Sequence, residues 1–151
     1  MKYVISVDQS TSASKAFLVD ETGAIVRRAS RPHRQYYPAP GRAEHDAQEI
    51  WRNVEAIISE VSEGLEKERI AAISLSNQCE TTVVWDRVTG EPVCPAIVWQ
   101  DVRGEAACRA LAASAEHIHN VTGLPLSPYF PAGKLRALFE ENPRLLKRAQ
   151  A

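Results

Sequence analysis

The chain opens with short apolar runs broken by polar links. "KYVISVD" (2–8), rich in β-branched residues, and "KAFLVD" (15–20) read as strands, and "AIVRRASRP" (24–32) alternates as a third strand would. The links between them are short: the hydroxyl-rich "QSTSAS" and the turn "ETG". Links of that length predict an antiparallel meander. "QYYPAPGRAEH" follows as a loop, marked by Pro38, Pro40 and Gly41. The period then changes. Asp46 stands at an N-cap with Glu49 three residues on, and Ile50, Trp51, Val54, Ile57, Ile58 and Val61 recur at helical spacing. That stripe predicts a helix packed on a sheet.

"RIAAISLSN" (69–77) is almost continuously apolar, the pattern of a strand in the covered middle of a sheet. "TTVVWD" and "PAIVWQD" (95–101) predict two more strands around the turn "RVTGEP". A small-residue helix near 104–115, the turn "TGLPLSPYFP", and helices near 132–141 and 143–150 complete the chain. The order is β-β-β-α-β-β-β and then helices. This predicts an α/β fold whose mixed sheet has three antiparallel N-terminal strands, then parallel strands with flanking helices. The pattern ends in helix without a closing strand, so a longer polypeptide is expected.

Composition narrows the function classes. The 151 residues are 44% hydrophobic and 25% charged, ordinary for one globular domain with its own core. Eighteen basic and 19 acidic residues give a net charge of −1. Nothing in that balance favours nucleic acid or an anionic membrane surface. Cys79, Cys94 and Cys108 are odd in number and loosely spaced, unlike a disulfide framework or a zinc site. No segment reads as a signal or a membrane span, and a cytoplasmic protein is expected.

Two stretches carry candidate chemistry. In "DQSTSASK" (8–15) a strand ends at Asp8, small polar residues turn, and Lys15 opens the next strand. Such a hairpin can offer backbone N–H groups and the hydroxyls of Ser10, Thr11 and Ser12 to an anion. Asp8 suits Mg²⁺, directly or through water, and Lys15 suits phosphate charge. Hydroxyl clusters are also simply what turns are made of. The second stretch is "NQCET", with "IVWQD" and "SPYF". Glu80, Trp99, Asp101 and Tyr129 are types that hold polyols and sugars: carboxylates accept from hydroxyls, and aromatic faces pack on C–H surfaces. Taken singly, each is more readily a core, strand-end or helix-entry residue, but several of them cluster at the ends of adjacent predicted strands, where ligands bind in sheets of this kind. His45, between Glu44 and Asp46, reads as part of the helix cap rather than a metal ligand.

Five collinear pieces resemble the FGGY carbohydrate kinases, glycerol kinase-like members above all. They are "DQSTSASKAFLVD" (8–20), "YYPAPGRAEHDAQEIW" (36–51), "IAAISLSNQCETTVVWDRVTGEP" (70–92), "AIVWQD" (96–101) and "TGLPLSPYFPAGKLRALFE" (122–140). The resemblance implies a ribonuclease H-like, actin-like ATPase fold. It implies transfer of the γ-phosphoryl of ATP, with Mg²⁺, to a hydroxyl of glycerol or a related polyol or sugar. By position, Asp8, Ser10, Thr11, Ser12 and Lys15 fall in the phosphate-binding hairpin. Cys79 and Glu80 fall where an Arg-Glu pair holds substrate hydroxyls. Trp99 falls on the aromatic that packs on substrate carbons, and Tyr129 on the tyrosine that donates to a hydroxyl. The chain would be part of the N-terminal domain of a two-domain kinase, with the general-base Asp and the adenosine-gripping domain beyond Ala151, and inactive alone. A homo-oligomer, dimer or tetramer, is expected at full length.

This sequence departs from the family pattern at informative places. Ser10 replaces a Gly, Lys15 an Arg, and Arg42 an apolar residue; "SPYFP" stands for "DPYFS". Cys79 replaces the Arg of "NQRET". A thiol donates far more weakly than a guanidinium, so a substrate other than plain glycerol is expected to compete. Two other readings use the same residues: a non-catalytic polyol-binding or regulatory module, and an actin-like assembly protein. The set Glu80, Trp99 and Tyr129 argues against the latter.

Overall fold

A computed structural model describes residues 1–149, so the C-terminal end of the predicted 143–150 helix lies outside the described residues. The chain divides into two compact units, Met1–Gln35 with Asp46–Gln78, and Tyr36–His45 with the residues from Cys79 onward.

The first unit is a four-stranded mixed sheet backed by one helix. Strands β1 (Tyr3–Gln9), β2 (Ala13–Asp20) and β3 (Ile25–Pro32) run antiparallel. Tyr3 faces Asp20, and Asp8 faces Lys15. In β2 burial alternates, with Ser14, Ala16 and Leu18 turned to the core. Helix α1 (Ala47–Ser62) packs Ile57 and Val61 against Ile5, Val7, Ala16 and Leu18. Its start is fixed by Asp46, whose Oδ1 accepts from Gln48 N at 2.8 Å and Glu49 N at 3.2 Å. The Glu49 carboxylate accepts from Arg34 N, so the predicted capping residue ties down the incoming chain. At the other end, Arg27 Nη1 donates to the carbonyls of Val61 and Glu63, closing the last turn. Trp51, predicted in the buried stripe, is 60% exposed. It lies about 120° around the helix from Ile57 at 100° per residue, off the core face.

The strand predicted for the middle of the sheet is instead its edge. Along β3-β2-β1-β5, strand β5 (Ile70–Asn77) pairs parallel with β1, and Ile73 and Leu75 are exposed. An apolar run shows that a strand suits an apolar environment, not which neighbour supplies it.

The second unit corrects the two strands predicted after residue 80. "TTVVWD" forms only isolated bridges, Thr82 to Ile97 and Trp85 to Pro92. "PAIVWQD" contributes just β6 (Ala96–Ile97), antiparallel to β4 (Glu44–His45), in a sheet separate from the main one. Pro92 and Pro95 withhold ladder N–H groups, and beyond Ile97 the chain turns so that Asp101 N donates to Val98 O. His45, read as cap material, is a buried β4 residue. Helices α2 (Glu105–Ala110) and α3 (Ala115–Thr122) flank a short 3₁₀ turn; α4 (Pro131–Glu141) and α5 (Pro143–Arg148) follow, each with proline in its first turn. Val84, Ile97 and Leu138 form the core, with Leu135 and Phe139 against it. Among the described residues no helix is long and apolar enough to cross a membrane.

Candidate functional site

Each unit carries part of the predicted set. In the first, the β1–β2 register places Asp8 opposite Lys15 across the hairpin. Asp8 Oδ2 lies 3.5 Å from Lys15 Nζ, and Ser10 Oγ donates to Asp8 Oδ1 at 2.6 Å. Both charged side chains remain nearly half exposed, so this pair is weak and its members stay available to a ligand. The turn is held through its carbonyls. Thr11 O accepts from Gln35 Nε2 at 2.6 Å and from His33 Nε2 at 2.7 Å, and Ser12 O accepts from His33 N at 3.2 Å. Tying down carbonyls leaves the Ser12 side chain outside, and the residue is exposed. Among the described residues no group of three or more His, Cys, Asp and Glu side chains is arranged to hold a metal ion.

In the second unit, Cys79 is exposed and Glu80 half-buried. Glu80 has φ +66°, the only positive φ among the described non-glycine residues. A left-handed Glu is disfavoured, and such strain persists where the surroundings over-determine it. What determines it here is the short pairing just downstream. Thr82 N donates to Ile97 O at 2.8 Å, Ile97 N returns a bond to Thr82 O at 2.9 Å, and Trp99 N donates to Thr81 Oγ1 at 3.2 Å. The chain that presents Glu80 is thus clipped to the chain that presents Trp99. Trp99 and Tyr129 meet edge to face, with centroids 6.0 Å apart at 62°. Phe130 stacks edge-on behind Tyr129 at 5.2 Å. Glu80 also borders a cavity of about 410 Å³ walled mainly by apolar side chains such as Leu111, Ile118, Leu126 and Phe130.

Asp101, a sequence candidate for hydroxyl binding, has a structural task. Its fully buried carboxylate accepts from Ala43 N at 2.9 Å, Arg103 N at 2.8 Å, Arg103 Nε at 2.9 Å and Arg103 Nη2 at 2.8 Å. Arg103 Nη2 also reaches Glu44 Oε1 at 2.7 Å. Burial pushes the Asp101 carboxyl up, but the bonds from Arg103 and Ala43 outweigh it and hold the group below the usual carboxylate range. The Arg103 guanidinium stays charged, its value lowered by burial but raised on balance by Asp101 and Glu44.

Lys134 was not singled out from the sequence. It is fully buried on α4, and its Nζ donates to the carbonyls of Trp99, at 3.3 Å, and Tyr129. A signal existed: Lys134 shares a helix face with apolar Leu138, four residues on. A lysine inside an apolar stripe is normally taken for a surface residue at its margin.

The first unit is thus a mixed sheet carrying a polar hairpin, and the second carries a left-handed Glu80 on chain clipped to one member of an aromatic pair. The comparisons give the particular family. Residues 3–151 match the N-terminal domain of the FGGY family of carbohydrate kinases, and the chain belongs to that family. Among curated relatives, glycerol kinase 2 of Streptomyces avermitilis is 44% identical over 153 residues, covering 99% of this chain and 30% of that protein. Glycerol kinase of Nocardia farcinica is 42% identical over 154 residues, covering 99% and 31%. The structure of Plasmodium falciparum glycerol kinase with ADP superposes with a TM-score of 0.86 at 34% identity, over 97% of this chain and 30% of that one. Ligand-bound xylulose kinase from Lactobacillus acidophilus superposes with a TM-score of 0.90 at 28% identity, over 99% and 31%. The chain spans less than a third of the length of these relatives.

Proposed function

We propose that this chain is the N-terminal, substrate- and phosphate-binding part of a two-domain ATP-dependent kinase of the ribonuclease H-like, actin-like ATPase fold. The kinase transfers the γ-phosphoryl group of ATP to a hydroxyl of glycerol or a related polyol or sugar. The observation that carries the reading is Glu80 held at positive φ, on chain clipped to Trp99, with Trp99 and Tyr129 forming an aromatic corner. Strain spent on aiming a carboxylate suits a hydroxyl acceptor, and the corner suits substrate carbons. Cys79 lies beside Glu80 and lines the same substrate.

In the hairpin, Ser10, Thr11, Ser12 and Lys15 are assigned to the phosphates and Asp8 to Mg²⁺. The half-exposed Asp8 fits that ion, which keeps most of its waters and takes one or two carboxylates alongside phosphate oxygens. When bound, Mg²⁺ would neutralise phosphate charge. Lys15 adds a compact positive charge on the same strand pair. The general base and the adenosine-binding domain are assigned to the rest of the polypeptide. Support comes from relatives named glycerol kinase and from a structural neighbour solved with ADP.

The test is ATP-dependent phosphorylation by the full-length polypeptide across glycerol, longer polyols and ketoses. We expect turnover, with at least one substrate matching glycerol. Absence of transfer to every polyol and sugar overturns the kinase reading, and polyol binding without transfer would make the protein a binding module. Cys79→Arg is expected to improve glycerol KM roughly tenfold or more, because a charge-assisted hydrogen bond contributes about 1.5–3 kcal/mol. An unchanged KM would mean that position 79 does not face substrate.

A further inference from the structure

Helices α2 and α4 come unusually close at two glycines. A Cβ on Gly104 would meet the Gly133 backbone at 2.7 Å, and one on Gly133 would sit 3.2 Å from Gly104 O. That contact sinks the next residue, Lys134, into the interior of its unit, where it is fully buried. Its Nζ donates to two main-chain carbonyls, Trp99 O and Tyr129 O, and lies 5.7 Å from the centroid of the Tyr129 ring. Among the described residues no carboxylate pairs with it directly. Burial pushes the ammonium down, while the charges of Asp101 and Glu80 pull it back up.

Burying a cation without a directly paired anion is expensive, and a methionine would fill the same space without that penalty. The cation does something packing does not require. Its two acceptors are the carbonyls of the very residues that form the aromatic corner, which come from segments 30 residues apart in the chain. We propose that Lys134 is a positioning residue for the substrate pocket: its ammonium joins the main chain of Trp99 to that of Tyr129 and so fixes the gap and angle between their rings. The proposal rests on the reading of those rings as substrate walls. Lys134 does not touch substrate. It acts through the corner.

The test uses the full-length polypeptide with Lys134→Met, which keeps volume but removes donors and charge, and Lys134→Gln, which keeps two donors without charge. Steady-state kinetics should show the polyol KM rising tenfold or more in Lys134→Met, with ATP KM within about twofold, and Lys134→Gln falling between Met and wild type. A polyol KM unchanged in Lys134→Met, or polyol and ATP KM rising together, overturns the proposal. If Lys134→Met fails to fold by circular dichroism, the same KM ratio in Lys134→Gln decides. Near-ultraviolet circular dichroism provides a readout independent of turnover. Loss of the Trp99–Tyr129 band in Lys134→Met, matched against Trp99→Phe, supports the positioning role, and an unchanged band refutes it. Should wild type phosphorylate no polyol, the kinase reading falls while the dichroism result still judges the role of Lys134.

Discussion

Replacing Asp101 with asparagine changes almost no volume, yet it should rank among the most damaging single substitutions in the second unit. The carboxylate is fully buried and receives three bonds from Arg103 and one from Ala43 N. Asparagine removes the charge and turns one acceptor oxygen into a donor facing other donors. Breaking a buried pair this way costs about 3–5 kcal/mol, because the remaining charge is left uncompensated. Arg103 keeps Glu44, so we place Asp101→Asn at the lower end, about 3 kcal/mol. With a urea dependence of about 2 kcal/mol/M, the midpoint should fall by about 1.5 M. Urea titration followed by tryptophan emission reads it, with Trp51→Phe as background so that Trp85 and Trp99 report the second unit alone. Arg103→Met should be comparably harmful. The double variant Asp101→Asn with Arg103→Met should recover much of the loss, because removing both charges leaves neither stranded. As a control, Arg31→Ala breaks the exposed pair with Glu60 and should shift the midpoint by under about 0.3 M. A shift below about 0.5 M for Asp101→Asn, or strictly additive losses in the double variant, would refute the account.

Two further outcomes follow from the same structure. Asp46→Ala removes the acceptor for Gln48 N and Glu49 N, and should cost about 1 kcal/mol and lower Tm by about 2–4 °C, while Asp46→Asn should be nearly neutral in a thermal melt. Asp101 ionises below its unfolded value, so its contribution is complete above the ordinary carboxylate range and is lost as pH falls through the folded value. Urea midpoints measured from pH 6 down to pH 2.5 should therefore fall steeply at the acid end in wild type and more shallowly in Asp101→Asn. Parallel profiles would exclude Asp101 as the source.

Elements with strong internal periodicity were readable from the sequence. β2 was legible as a strand over 15–20, though its buried Ser14 falls in what reads as the preceding link, and α1 declares its packed face through Val54, Ile57 and Val61. Elements defined by distant partners were not. β4 and β6 are two residues each and exist only because Glu44–His45 finds Ala96–Ile97. Helix α3, "AEHIHNVT", has too few apolar residues for its period to stand out, and no expectation covered it as a separate helix. Individual residue types at the candidate site were readable, since Glu80, Trp99 and Tyr129 suit a polyol. Their support was not. Arg103 and Lys134 are cations, and a cation is assigned to the surface until the fold shows what surrounds it. Asp101 was suited to hydroxyls by type, and only its four donors reveal a carboxylate already saturated by protein.

The left-handed backbone at Glu80 sets two selection pressures against each other. Glycine or asparagine would occupy that conformation more comfortably, so a library sorted for thermal stability alone should drift toward them at this position. On the proposed function, a library sorted for growth on the kinase's substrate should hold the glutamate. The frequency of residue 80 in the two pools would then measure how much stability that role costs.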